Sequence, residues 1–192
     1  VVGCLRALGI PLAQAVQSCE HLLQVPGRME CQGGADAPLV VVDYAHTPDA
    51  LDKAIVALRP LAQSRGGRLV CVFGCGGDRD PSKRARMGAI AAQRADQLVL
   101  TSDNPRSELP QKILAEIAAG VPQGSSSSLV EDRRLAIEQT VLAAAPADVI
   151  LVAGKGHEDY QEVRGVKRPF SDVAVVQGAL AQREQAQGQR AC

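Results

Sequence analysis

A strand-sized apolar run, a turn and then a helix-spaced apolar pattern recur along this chain, and that alternation limits the possible folds more than any other feature. Leu39-Val40-Val41-Val42 is short and rich in β-branched residues, as expected of a strand covered on both faces. Thr47-Pro48-Asp49 then reads as an N-cap, a first helical position and an acid set against the helix dipole. Leu51, Ala54, Ile55 and Leu58 follow at helical spacing. The unit returns three times. Leu69 to Phe73 predicts a strand, and Asp80-Pro81 opens a helix with Met87, Ile90 and Ala91 inward. Leu98-Val99-Leu100 leads to a helix near Ser107 that carries Ile113, Leu114 and Ile117. Past a flexible Ser125 to Ser128 run, Leu135, Val141 and Leu142 mark a helix that ends before Pro146 and delivers Val149 to Val152.

The tail predicts a hairpin from Asp159 to Phe170 with Gly165 in its turn, a helix capped by Ser171, and a polar last dozen residues that fray. Right-handed crossovers then dictate an α/β fold: a Rossmann-like, mainly parallel sheet with helices on both faces, closed by a C-terminal β-hairpin and helix. Residues 1–25 differ in pattern. They suggest a helix and linker at the end of a preceding domain, with Pro26-Gly27 opening a main domain over 26–192.

Composition narrows the function. Of 192 residues, 21 are Lys or Arg and 21 are Asp or Glu, so the chain lacks the positive surplus of a general nucleic-acid coat. No apolar run approaches the roughly 18 residues needed to span a bilayer, and Arg6 with no small-residue cleavage site argues against a leader. The six cysteines follow neither a disulfide framework nor a zinc pattern, so reduced thiols in a cytoplasmic protein and no metal site in this chain are expected. The chain begins Val1-Val2, which suggests a piece of something longer.

Ligands of open α/β sheets bind beyond the carboxyl ends of the strands. Four turns there are unusually polar: Asp43-Tyr44-Ala45-His46, Gly74 to Arg79, Asp103-Asn104-Pro105-Arg106 and Gly154 to Glu158. All four should line one rim. Neither Gly-rich turn carries a G-x-G-x-x-G or P-loop fingerprint, and either could be a plain strand-to-helix turn, so the chain should not hold a nucleoside triphosphate alone. Arg79 and Arg106 each offer a planar fork to a carboxylate, and Glu158 can accept an ammonium, a set suited to an amino-acid zwitterion. Pro105 biases Asn104 away from helix, which stiffens that loop. Among the histidines, His21 lies in the first helix and His157 caps or packs. His46 lies near Asp43, which could orient it toward a nucleotide or phosphate.

Taken together, Gly27-Arg28-Met29-Glu30, Asp43 through Leu51, Phe73 through Asp80, Asp103 through Arg106 and Gly154 through Tyr160 resemble the C-terminal domain of the Mur ligases. The likeness is to the members that add meso-diaminopimelate to UDP-N-acetylmuramoyl-L-alanyl-D-glutamate during peptidoglycan precursor synthesis. It implies an ATP- and Mg²⁺-dependent amide ligase working through an acyl phosphate. The P-loop, the Mg²⁺ ligands and a carbamylated lysine would belong to a central domain, and the UDP end to an N-terminal one. By the same resemblance, Arg28, Asp43 and His46 would contact or orient ATP, with His46 and Asp43 in a supporting catalytic role. Arg79, Asp103, Asn104, Pro105, Arg106, Gly154 and Glu158 would bind meso-diaminopimelate. Three other readings stay open: a stand-alone amino-acid-binding module without catalysis, a folylpolyglutamate-type ligase domain, and a nicotinamide-dependent dehydrogenase, which the missing fingerprint disfavours.

Overall fold

The structure, a computed structural model, describes residues 1–20 and 22–188. Its helices are α1 (Val2–Ala7), α2 (Leu12–Cys19), α3 (Pro48–Arg65), α4 (Ser82–Arg94), α5 (Pro110–Ala118), α6 (Arg133–Ala143) and α7 (Asp172–Gly188). Its strands are β1 (Glu30–Gly33), β2 (Leu39–Asp43), β3 (Leu69–Phe73), β4 (Gln97–Leu100), β5 (Ser127–Leu129), β6 (Val149–Ala153), β7 (Tyr160–Val163) and β8 (Val166–Pro169). One sheet runs β1-β2-β6-β3-β4-β5, parallel except for the antiparallel edge strand β1, and β7-β8 forms a separate hairpin.

Alternation along the central strands divides the core in two. Val41, Cys71, Phe73 and Leu151 face one way, under Leu51, Ile55, Met87, Leu114 and Ile117 of α3, α4 and α5. Val40, Val42, Val70, Val72, Ile150 and Val152 face the other, under Ile137, Val141, Val176 and Ala179 of α6 and α7. β3 and β6 are buried throughout, which is why their sequences lack polar alternation. The expected caps hold. Thr47 Oγ1 accepts the Ala50 N–H, and Ser171 Oγ accepts that of Ala174. At the hairpin, Arg164 and Gly165 both take positive φ, 50° and 75°, matching the twist of the strands they join.

Two strands escape the sequence pattern. The Ser125–Ser128 run, expected to be flexible, contributes to β5, and β1 forms just inside the main domain, in a stretch to which no element was assigned. Both are edge strands, whose exposed side chains give no burial signal while their backbones pair with β4 and β2. α5 begins at Pro110 rather than near Ser107, because Ser107 gives its hydroxyl and N–H to Asp78 instead of capping a helix. The first segment is two short helices broken around Gly9 and Pro11, and the reading of His21 lies outside the described residues. Instead of fraying from residue 181, α7 continues to Gly188, anchored by Arg183 donating to the Val141 and Leu142 carbonyls. Residues 189–192 lie outside the description.

Register fixes the position of the site. Asp43 and Phe73 both pair with Ala153, and Phe73 pairs with Leu100. The carboxyl ends of β2, β6, β3 and β4 therefore stop level with one another, and the four polar turns leave from a single rim.

Candidate functional site

A cleft of about 380 Å³ opens on that rim, within the size range of small-molecule sites. Its walls include His46, Arg79, Asp103, Asn104, Arg106, Gly154 and Glu158, so seven of the residues singled out in the sequence meet at one place. Tyr44, Cys75, Asp80, Lys83 and Tyr160 line it as well. The cleft presents both signs of charge, Arg79, Lys83 and Arg106 against Asp80, Asp103 and Glu158.

Asn104 is the hub. Its side chain is buried and held by three hydrogen bonds: Oδ1 accepts from Lys155 Nζ (3.0 Å) and the Glu162 N–H (2.9 Å), and Nδ2 donates to Glu158 Oε2 (2.8 Å). Asp103 turns inward, its Oδ1 accepting the Asn104 N–H at 2.7 Å. Its other carboxylate oxygen lies 2.7 Å from where a Cβ on residue 154 would stand, and Gly154 has φ +118°, so only glycine serves there.

Arg106 sits at φ +50°, pinned by backbone bonds with Glu162 and Arg164 of the docked hairpin. Its Nη1 donates to the Gly77 carbonyl (2.8 Å) and its Nε faces Glu162 at 3.7 Å. Gly76 makes room for this fork, since a Cβ there would stand 2.8 Å from Nη1. Arg79, by contrast, is exposed and, among the described residues, bonds only its neighbour's carbonyl, at Asp78. Pro105 faces a separate groove behind the loop, so it shapes the backbone rather than lining the cleft.

A buried frame holds the Gly-rich turn. Arg84 grips Glu108 with two bonds (2.7 and 2.9 Å), Glu116 with one (2.6 Å), and reaches the Gly76 carbonyl. Glu108 in turn accepts the Asp78 N–H at 2.7 Å. The Arg84 guanidinium, helped by that N–H, pulls the Glu108 carboxyl down to about 2. Its ordinary value is 4.5, so the pair stabilises the fold at neutral pH and that contribution is lost as pH falls from about 4.5 through about 2. Urea unfolding between pH 2 and 6 should show a shallower acid slope for Glu108→Gln than for the parent. Identical slopes would remove Glu108 from the frame.

A second cluster flanks the cleft. The Arg28 guanidinium stands 4.5 Å over the Tyr44 ring, which touches His46 edge-on (4.5 Å between centroids) and His157 (5.3 Å). The sequence suggested that Asp43 orients His46. Instead both Asp43 oxygens accept backbone N–H groups, from Met29 and Ala45, while His46 Nδ1 pairs with the Tyr44 carbonyl at 2.8 Å. Two backbone N–H groups thus occupy the carboxylate, and Asp43 ties the Arg28 turn to the β2 loop.

Lys155 is the residue that sequence reading missed. Considered there only as a P-loop candidate, it is fully buried and reaches Asn104 and Glu158 from behind. Its signal was present: a lysine between two glycines, Gly154 and Gly156, whose φ of +118° and +52° turn the chain back into the molecule.

A family profile described as "Mur ligase, glutamate ligase domain" matches residues 27–156. The UDP-N-acetylmuramoyl-L-alanyl-D-glutamate--2,6-diaminopimelate ligase of Acidovorax sp. (strain JS42) is 56% identical over 183 residues, covering 95% of this chain and 36% of that protein. A solved structure of a ligase of the same name superposes with a TM-score of 0.78 at 39% identity, over 95% of this chain and 37% of its own. A bifunctional folylpolyglutamate synthase/dihydrofolate synthase from Yersinia pestis CO92 shares the fold, with a TM-score of 0.58 at 23% identity over 88% of this chain and 34% of its own. The chain thus spans little more than a third of the length of the curated relatives it matches.

Proposed function

This chain belongs to the Mur ligase family, and from that premise we propose that it is the amino-acid-binding C-terminal part of an ATP-dependent ligase joining meso-diaminopimelate to UDP-N-acetylmuramoyl-L-alanyl-D-glutamate. Residues 1–25 are assigned to the end of a preceding domain and 26–192 to this one. The observation that carries the reading is the gathering of Arg79, Arg106 and Glu158 around one cleft. The ligand has an amino-acid group at each end. One amine must stay free to attack, while the distal carboxylate and ammonium can be gripped by the guanidinium forks and by Glu158.

ATP, when bound, supplies the phosphoryl group that activates the acceptor carboxylate. Arg28, Tyr44 and His46 suit it chemically, as a cation, a stacking ring and an exposed imidazole side by side. Asp43 acts by holding the turn that presents Arg28. Among the described residues no group of three or more His, Cys, Asp or Glu could hold a metal ion, and the proposal places Mg²⁺ on residues outside them. No helix among the described residues is long and apolar enough to cross a membrane.

The full-length ligase is expected to release phosphate from ATP only when both the UDP-linked dipeptide and meso-diaminopimelate are present, with formation of the tripeptide product by mass spectrometry. Equal turnover with glutamate as the incoming amino acid would favour the folylpolyglutamate-type alternative. Binding of meso-diaminopimelate without any product would favour the non-catalytic module.

A further inference from the structure

We propose that Lys155 is a positioning residue for amino-acid recognition, holding Glu158 so that one carboxylate oxygen stays available to the ligand's ammonium. The proposal rests on the reading of the cleft given above. Lys155 never lines the cleft, yet its fully buried ammonium makes both its hydrogen bonds to residues that do: Asn104 Oδ1 at 3.0 Å and Glu158 Oε2 at 3.1 Å. Asn104 Nδ2 donates to the same Oε2 at 2.8 Å. One oxygen of Glu158 is thus occupied from behind by two donors, one of them charged, and its orientation is fixed.

A buried ammonium is costly to keep, and an apolar side chain would hold this turn at lower cost. What the ammonium adds is electrostatic. Glu158 shares its cleft with Arg79 and Arg106. Without Lys155 its carboxylate would be held by the neutral Asn104 amide alone, and a swing onto either guanidinium would form an internal pair that competes with a zwitterion for both of its anchors. The turn is built for this placement. The Glu158 N–H donates to the Lys155 carbonyl at 2.9 Å, stacking the two side chains, and Gly156 packs so closely on Gly27 and Tyr44 that a Cβ would stand 2.6 Å from the Gly27 carbonyl oxygen.

The test is a double-mutant cycle in the full-length ligase, reading KM for meso-diaminopimelate, KM for ATP and kcat. Lys155→Met is expected to raise the meso-diaminopimelate KM about 30-fold, with the ATP KM and kcat changed less than about threefold. In a Glu158→Gln background, where no charge remains to be held, the same substitution should add less than about threefold. Should Lys155→Met fail to fold, Lys155→Gln, which keeps a donor without the charge, carries the same cycle. Fully multiplicative effects of the two substitutions, or parallel losses in both KM values and kcat, would overturn the role of Lys155 and leave the reading of the cleft intact. A Glu158→Gln variant whose meso-diaminopimelate KM is unchanged would overturn that reading, and this proposal with it.

Discussion

Replacing Arg106 by alanine in the full-length ligase is expected to raise the meso-diaminopimelate KM by about 10³-fold or more while moving the ATP KM less than about threefold. The size follows from how the side chain is held. Its backbone is pinned on both sides by the β7–β8 hairpin, Nη1 is tied to Gly77, and only 19% of the side chain is exposed. A fork fixed in this way binds a carboxylate with little entropy left to lose. Alanine would leave the ligand's distal carboxylate without its fixed fork and dependent on the exposed Arg79. Because residue 106 already carries a Cβ at φ +50°, the substitution adds no backbone strain of its own. Lysine has no distal carboxylate to lose, so the preference for meso-diaminopimelate over lysine should shrink in the same variant. Arg106→Lys keeps the charge without the fork and should fall between the two. Initial-rate kinetics with each substrate varied in turn decide the matter, and equal rises in both KM values would detach Arg106 from amino-acid recognition.

The parts of this site that could be read from sequence are those that local rules control. Each polar turn announced itself by following a short apolar run, and the rule that ligands gather beyond strand ends was enough to group Arg79, Asn104, Arg106 and Glu158 on one rim. Pairing across the chain was not readable. Lys155 meets Asn104 across 51 positions, and Asp43 reaches the Met29 N–H across 14, so neither contact leaves a periodic trace. That distance is why Asp43 was assigned to His46, its near neighbour in sequence, when its hydrogen bonds belong to the backbone. β1 and β5 were missed for a different reason. Hydrophobic patterning reports side-chain burial, and an edge strand such as Ser127–Leu129 is defined by its backbone pairing while its side chains stay in water.

The second large effect lies beneath the site. Arg133 at the start of α6 and Asp172 at the start of α7 are both fully buried and bonded twice, at 2.8 and 2.7 Å. Asp172→Ala should destabilise the protein by about 3–5 kcal/mol, since it strands a guanidinium that has no route to water. Adding Arg133→Met should recover at least half of that loss, because the stranded charge, more than the missing contact, accounts for most of it. Full recovery is not expected. Arg133 also donates to the carbonyls of Ala153 (3.0 Å) and Ser102 (3.4 Å), which the double variant leaves with fewer partners. Those carbonyls immediately precede Gly154 and Asp103, so the ion pair is the anchor from which two of the four binding turns depart. A folded Arg133→Met/Asp172→Ala protein should therefore bind meso-diaminopimelate more weakly even where its stability is largely restored. Urea unfolding and calorimetry on the same preparations separate the two effects, and a single variant that loses less than about 1 kcal/mol would show that water reaches the pair.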